Sequence, residues 1–331
     1  MRIAKQFLHG AGAAALTLCL ATGLARAADK PDEITVAYFL EWPTANQVAQ
    51  LEKTYDKELG LTVNWRAFGN GNEMSQAMAS GNVQIAYSQG LVPYVVAVSR
   101  GLDLKLVGVA VSYAEADNCV VSKDSGITKA NAKQLEGKKV GTPIGNVTHY
   151  KLLRMLDHLG VDASKVEMVQ MNGADAAVAF ARGDIAMGCA FGGPMLRMLE
   201  NGSLLMTAAE QEAIGIRVFD VISVTGEFAA EHPDLVQKFM DVTDKANAAY
   251  AADKKAALPA IAKAAGMDKA GAEKLLTMFS FPSKADQASA AWLGGTVQKF
   301  TKSVADFFVA QKQLDKALDS YDGAITDKFV K

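Results

Sequence analysis

A chain of 331 residues, half of them hydrophobic and 21% charged, can bury a sizeable core and has the make-up of an ordinary soluble protein. Its formal net charge of −2 and the lack of any Lys/Arg run argue against nucleic acid or an anionic membrane surface as partner. Past the first 27 residues no stretch approaches the roughly 20 apolar residues that a membrane span requires.

Arg2 and Lys5 open a basic segment, Ala11 to Leu24 follow as an apolar run, and Ala25-Arg26-Ala27 is a small-x-small cleavage site. That layout predicts a secretory signal peptide over 1–27, with a short membrane anchor as the alternative. Cys19 follows Leu18, where lipid attachment wants a small residue. Removing Arg2, Lys5 and Arg26 leaves 31 basic against 36 acidic residues, a net charge of −5. The expected location is the periplasm.

The mature chain begins with a strand pattern, Ile34 to Tyr38, then a loop, Phe39 to Pro43. Val48, Leu51, Tyr55 and Leu59 recur at helical spacing up to Gly60, placed as a C-cap glycine, and Leu61 to Trp65 reads as the next strand. The alternation continues and predicts an α/β fold. Ala77-Met-Ala-Ser-Gly-Asn-Val-Gln-Ile85 is echoed 102 residues later by Ala179-Phe-Ala-Arg-Gly-Asp-Ile-Ala-Met187. Each copy reads as a helix end, a turn and a buried strand running into a small-residue loop. Lys139 to Thr142 and Thr148 to Leu159 supply a strand and a helix that mirror the opening unit. Two similar α/β units are therefore expected over 33–118 and 124–218. From Pro233 the chain is mostly helical (Leu235 to Ala252, Ala270 to Phe279, Ala288 to Phe308) and is expected to pack on the first unit.

Ligands of open α/β sheets bind beyond the carboxyl ends of the strands. The loops so placed are 39–43, 88–92, 143–149 and 190–194, joined by the crossing strand Arg217 to Val224. The four loops hold no Lys or Arg. They offer Ser88, Gln89, Asn146, Thr148, glycine N–H groups and two helix starts, which receive anions through free N–H groups. Glu41 and Asp220 are acidic, and Phe39, Trp42 and Phe191 aromatic. Neutral donors, a carboxylate and aromatic faces together suit a small zwitterion. Each residue also has a plainer reading: Glu41 as a solvated loop acid, Trp42 and Phe191 as core, Ser88, Gln89, Asn146 and Thr148 as turn or cap residues. Asp220, between Phe219 and Val221, needs a partner inside a hydrophobic strand.

No metal-ligand spacing, paired-carboxylate motif or nucleophile elbow is present, and His149, His158 and His232 are scattered. No cofactor, metal or catalytic residue is expected. Cys119 and Cys189 remain after processing, and an oxidising compartment leaves open either a disulfide or two buried thiols.

Over its mature length the chain resembles the taurine-binding periplasmic proteins of ABC importers. The resemblance rests on Ile34 to Tyr38, Val63-Asn-Trp-Arg66, Met78 to Ile85, Thr148-His-Tyr150 and Ile325 to Lys331. Phe39 to Pro43, Ser112-Tyr113, Asp117 to Val121 and Gly188-Cys-Ala-Phe-Gly-Gly193 look like an alphaproteobacterial branch. It implies a type II periplasmic-binding fold: lobe 1 over 28–119 with 224–331, lobe 2 over 120–223, a two-stranded hinge and closure on the ligand. Carried over, Ser88, Gln89, Asn146 and Thr148 hold the sulfonate, Asp220 the ammonium, and Glu41 and Trp42 complete the amino end. Phe191-Gly-Gly193 departs from the family, where many members carry Trp. The implied partners are the importer's permease and ATPase subunits, with the receptor a monomer. The alternatives are another alkanesulfonate, amine or pyrimidine ligand on the same fold, or a binding-fold enzyme of pyrimidine synthesis.

Overall fold

The computed structural model describes residues 29–331, so the expected signal peptide lies outside the described residues. In chain order the strands are β1 (Glu33–Phe39), β2 (Thr62–Phe68), β3 (Ile85–Gly90), β4 (Leu104–Tyr113), β5 (Asp117–Ser122), β6 (Lys139–Thr142), β7 (Glu167–Gln170), β8 (Met187–Phe191), β9 (Gly202–Leu204), β10 (Val218–Thr225) and β11 (Phe279–Ser280). They form two sheets, ordered β11-β4-β10-β3-β1-β2 and β7-β6-β8-β5-β9. The fold is α/β with the two-sheet arrangement of a periplasmic binding protein.

Each sheet repeats one motif. Parallel strands β2, β1 and β3, or β7, β6 and β8, are followed by an antiparallel neighbour: β10 beside β3, β5 beside β8. The sequence echo maps onto this motif. Helix Gly71–Ala79 leads into β3 and helix Gly173–Arg182 into β8, each through a glycine at positive φ (Gly81 at 75°, Gly183 at 78°). A left-handed residue ends a helix cheaply only without a Cβ. All six residues of β3 are buried, as expected of a strand covered on both faces.

The chain changes sheet between Tyr113 and Asp117 and returns between Leu204 and Val218. Val218 pairs with Tyr113, so the outgoing and returning strands lie side by side. The whole of β10 belongs to the first sheet, which puts both changes of sheet earlier than 119/120 and 223/224. Cys119 and Cys189, directly opposite in β5 and β8, are joined by a disulfide.

Two helical expectations are revised. The run ending at Gly60 is split into Gln47–Leu51 and Thr54–Leu59 by Lys53 at φ 55°, while Gly60 is the expected left-handed cap at φ 67°. The run Ala288 to Phe308 is interrupted at Gly295 (φ 152°), and the last long helix is Thr296–Ala310. Helix Pro233–Ala252 packs on the first sheet's helices, with Phe239 4.7 Å from Tyr55 between ring centroids. Helix Thr296–Ala310 also reaches the other unit, setting Phe307 5.4 Å from Tyr150. The tail thus braces both halves rather than the first alone. No helix among the described residues is long and apolar enough to cross a membrane.

Candidate ligand-binding site

Strand ends from both sheets line a small cavity. Phe39 and Trp42 follow β1, Gly90 ends β3, and Tyr113 and Asp220 come from β4 and β10. The second sheet contributes Asp117 at the start of β5, Asn146, Val147 and Thr148 after β6, and Phe191 at the end of β8. Of the expected residues, Trp42, Asn146, Thr148, Phe191 and Asp220 meet here. Ser88 lies one bond behind the wall, and Gln89 and Glu41 are engaged elsewhere.

The acidic end is built around Asp220, 2% exposed. Its Oδ2 accepts from Ser88 Oγ at 2.7 Å and its Oδ1 from Tyr113 O–H at 2.8 Å, while Ser88 Oγ accepts from Trp42 Nε1 at 2.9 Å. The partner Asp220 needs is thus a side-chain chain reaching from β3 and β4. Burial pushes its carboxyl up to about 7; the Ser88 and Tyr113 bonds offset part of the rise and the Asp117 charge adds to it. Aromatic rings line the same end. Trp42 meets Tyr113 edge-on at 4.9 Å and Phe191 at 5.5 Å, and Phe39 lies 5.0 Å from Phe191. Aromatic faces beside a carboxylate favour a cationic nitrogen.

The second sheet's unit brings the start of helix Val147–His158 to the same cavity, and its first turn carries N–H groups without intrahelical acceptors. Thr148 is 1% exposed and its Oγ1 has no hydrogen-bond partner. Gly90 marks the start of a second helix, Leu91–Ser99. The other start expected to face the ligand, helix Gly192–Glu200, is already occupied: Gly192 N–H donates to Ala116 O and Gly193 N–H to Glu41 O. Nearby His149 is buried and accepts from Gly145 N–H; burial lowers it to about 4, which keeps it neutral.

Asn146 and Glu41 bridge the halves, while Gln89 is spent within the first half. Asn146 Oδ1 accepts from Gly71 N–H at 3.0 Å, and Gln89 is saturated by Gly71 O, Ser75 Oγ and Ser223 Oγ. Glu41 takes a bidentate ion pair from Arg197, on helix Gly192–Glu200 of the other unit. Asn70 donates to Asn172 at 2.7 Å, and Asn72 to Ile144 O at 2.9 Å. The cleft is therefore held closed along both rims. The departure at Gly192-Gly193 has a local reason: a Cβ on Gly192, at φ 63°, would sit 2.2 Å from Glu41 O. Only glycine lets this helix start close onto residue 41.

Asp117 was not among the expected residues, although it belongs to the resembling segment Asp117 to Val121. The signal that finds it is the internal repeat: β5 occupies in the second sheet the place of β10 in the first. Among the described residues no cluster of three or more His, Cys, Asp or Glu is arranged to hold a metal ion.

Residues 44–257 match the model of the NMT1/THI5 like family. The chain is 30% identical over 304 residues to the taurine-binding periplasmic protein of Escherichia coli K12, covering 90% of this chain and 92% of that protein. It is 25% identical to a putative aliphatic sulfonates-binding protein of Bacillus subtilis 168, covering 87% and 82%. In fold it resembles the alkanesulfonate-binding protein SsuA of Xanthomonas axonopodis pv. citri bound to MOPS, with TM-score 0.74 and 22% identity over 90% of this chain and 99% of that one. These relatives are binding proteins, and the chain is one of them rather than an enzyme. It belongs to the NMT1/THI5 like family, in the line of the taurine-binding periplasmic proteins.

Proposed function

We propose that the protein is the periplasmic receptor of an ABC importer and that its ligand is taurine, 2-aminoethanesulfonate. The carrying observation is a cavity with two kinds of lining. Asp220 and the rings of Trp42, Tyr113 and Phe191 supply an acidic, aromatic part; the helix start at Val147 with the unpartnered Thr148 hydroxyl supplies donors. A short zwitterion satisfies both. A plain alkanesulfonate would leave the Asp220 carboxylate desolvated without a counter-charge, which costs free energy.

In this reading residues 1–27 direct export. Ligand contacts groups from both sheets and favours the closed form by its affinity difference between open and closed states. The rim contacts then hold the halves together in the form presented to permease and ATPase subunits. Isothermal calorimetry with taurine, ethanesulfonate and choline tests the assignment. Taurine is expected to bind at least about tenfold tighter than either analogue, the smaller of the effects for losing a charge-assisted hydrogen bond. Absence of taurine binding, or a preference for ethanesulfonate or choline, overturns it.

A further inference from the structure

Helix Val147–His158 meets the cavity with its first residues and both crossings between the sheets with its second turn. Val147 and Thr148 line the cavity. Lys151, 1% exposed, donates from its Nζ to the backbone oxygens of Ala114 and Asp117, where the chain leaves the first sheet for the second. Arg154 donates from Nη2 to Ile214 O at 2.7 Å, in the segment that brings the chain back. Residues three apart are neighbours on a helix surface, so one face of this helix grips both crossing segments by their carbonyls.

Close packing of the crossings does not account for this grip. A pocket lined by Tyr113, Ala114, Lys151, Ile216 and Val218 separates them beyond the Tyr113–Val218 pair. Burial lowers the Lys151 ammonium against the opposing charges of Asp117, Glu115 and Glu212. An apolar side chain would avoid that cost but could not join two carbonyls. Arg154 is aimed by residues of both halves. Its guanidinium lies 5.7 Å from the ring centroid of Tyr150 and 5.4 Å from that of Phe307, on helix Thr296–Ala310, and Nη1 donates to Tyr150 Oη at 2.9 Å. With both crossings fixed to the second half, bending is left to the Tyr113–Val218 pair.

We propose that Lys151 and Arg154 are positioning residues for closure. They tie both crossing segments to the helix that meets the ligand, so that helix and crossings turn as one body about the Tyr113–Val218 pair. Arg154 thereby sets affinity without touching the ligand. The inference rests on the reading of the chain as a receptor that closes, not on which ligand it takes.

The test uses the exported full-length receptor, wild type and Arg154→Gln. Hydrogen exchange of the free protein should quicken over residues 205–217 by at least about tenfold, the lower range for a lost hydrogen bond to a charged group, while the strands of both sheets keep their protection. In calorimetry, taurine and ethanesulfonate should lose affinity by the same factor, about tenfold. Lys151→Met should quicken exchange over residues 114–118, and wild-type exchange there overturns the lysine's part. Three results for Arg154→Gln overturn the inference: a lower melting temperature with wild-type affinity, a loss confined to one of the two ligands, or quickened exchange across both sheets. Wild type that ignores taurine sinks the taurine reading alone, and the exchange measurement still decides this one.

Discussion

The two halves are built to one plan and finished differently. Each sets an aspartate beside the end of its third parallel strand. The first half surrounds its aspartate with a hydroxyl, a phenol and, one bond further, an indole N–H. The second leaves its aspartate oxygen bare, backs it with a lysine, and ties its own strand pair together with the Cys119–Cys189 disulfide. The first half therefore supplies a pre-organised acceptor, while the second supplies an acceptor completed on closure. Pre-organised groups reduce the cost of binding, and groups completed by ligand make closure conditional on it.

The largest way to break this asymmetry is to remove the covalent tie that only the second half has. Cys119→Ala with Cys189→Ala opens a loop of 70 residues, for which the chain-entropy model gives about 4 kcal/mol. The expected outcome is a lower guanidinium midpoint with an unchanged first half, read by hydrogen exchange. A uniform loss of protection across both sheets would show that the halves unfold as one unit and are not separately finished.

Next is the acceptor of the first half. Asp220→Asn keeps the shape of the side chain but removes its charge, and is expected to weaken taurine binding by about 100-fold in calorimetry. The pH dependence follows from the same residue together with Asp117, which burial also pushes up to about 7 against the opposing Lys151 charge. The Asp220 carboxyl sits at about 7 when folded, against about 3.9 in an unfolded chain. The folded protein thus holds the proton more tightly, and this contribution to stability is full below about 4 and lost as pH rises through 7. A bound ammonium favours the ionised form, so taurine affinity should rise between about pH 5.5 and 8, by at most tenfold per unit below 7 for each carboxylate ionised. Flat affinity across this range would mean that the buried carboxylates of the cavity do not receive the ammonium. His149, lowered to about 4, adds no step of its own in the window.

Much of this plan is legible in the amino-acid sequence. The Ala77–Ile85 and Ala179–Met187 echo foretold both helix–turn–strand units because Gly81 and Gly183 are needed at the same left-handed turn. The loop positions foretold the cavity, because strand ends in such sheets converge. What stayed hidden was which loop atoms are spent on protein. Glu41 reads as an open acid in Phe39 to Pro43, yet Arg197, 156 residues away, takes it. Gln89 reads as a donor, yet Ser75, Gly71 and Ser223 use it up. Lys53 carries no turn signature, and its left-handed φ split an otherwise continuous helical pattern. Long-range pairing of polar side chains has no period in sequence, whereas backbone turns and buried faces do.

A smaller effect is expected at the seam between halves. Gly192→Ala places a methyl 2.2 Å from Glu41 O at a residue of φ 63°. The left-handed φ costs an alanine roughly 1–3 kcal/mol in either form, and the contact with Glu41 O adds to it in the closed form, because Glu41 belongs to the other half. Taurine affinity should drop by about tenfold, beyond a modest loss of stability in the second half. An equal loss of melting temperature with and without taurine would assign the strain to the fold rather than to closure.

The smallest effect is expected from the rim. Glu41 and Arg197 side chains are 30% and 48% exposed, so solvent screens their ion pair even though it is bidentate. Arg197→Ala should weaken taurine by no more than about fivefold, as for an exposed pair worth up to about 1 kcal/mol. The loss should shrink as salt is raised from low to physiological ionic strength. The backbone bond from Gly193 N–H to Glu41 O, 3.1 Å long, survives this substitution and keeps the same two segments in register. A loss near 100-fold, insensitive to salt, would instead place Glu41 among the groups that hold the ligand. The acidic end would then draw on three carboxylates rather than on the pair that the two halves contribute by symmetry.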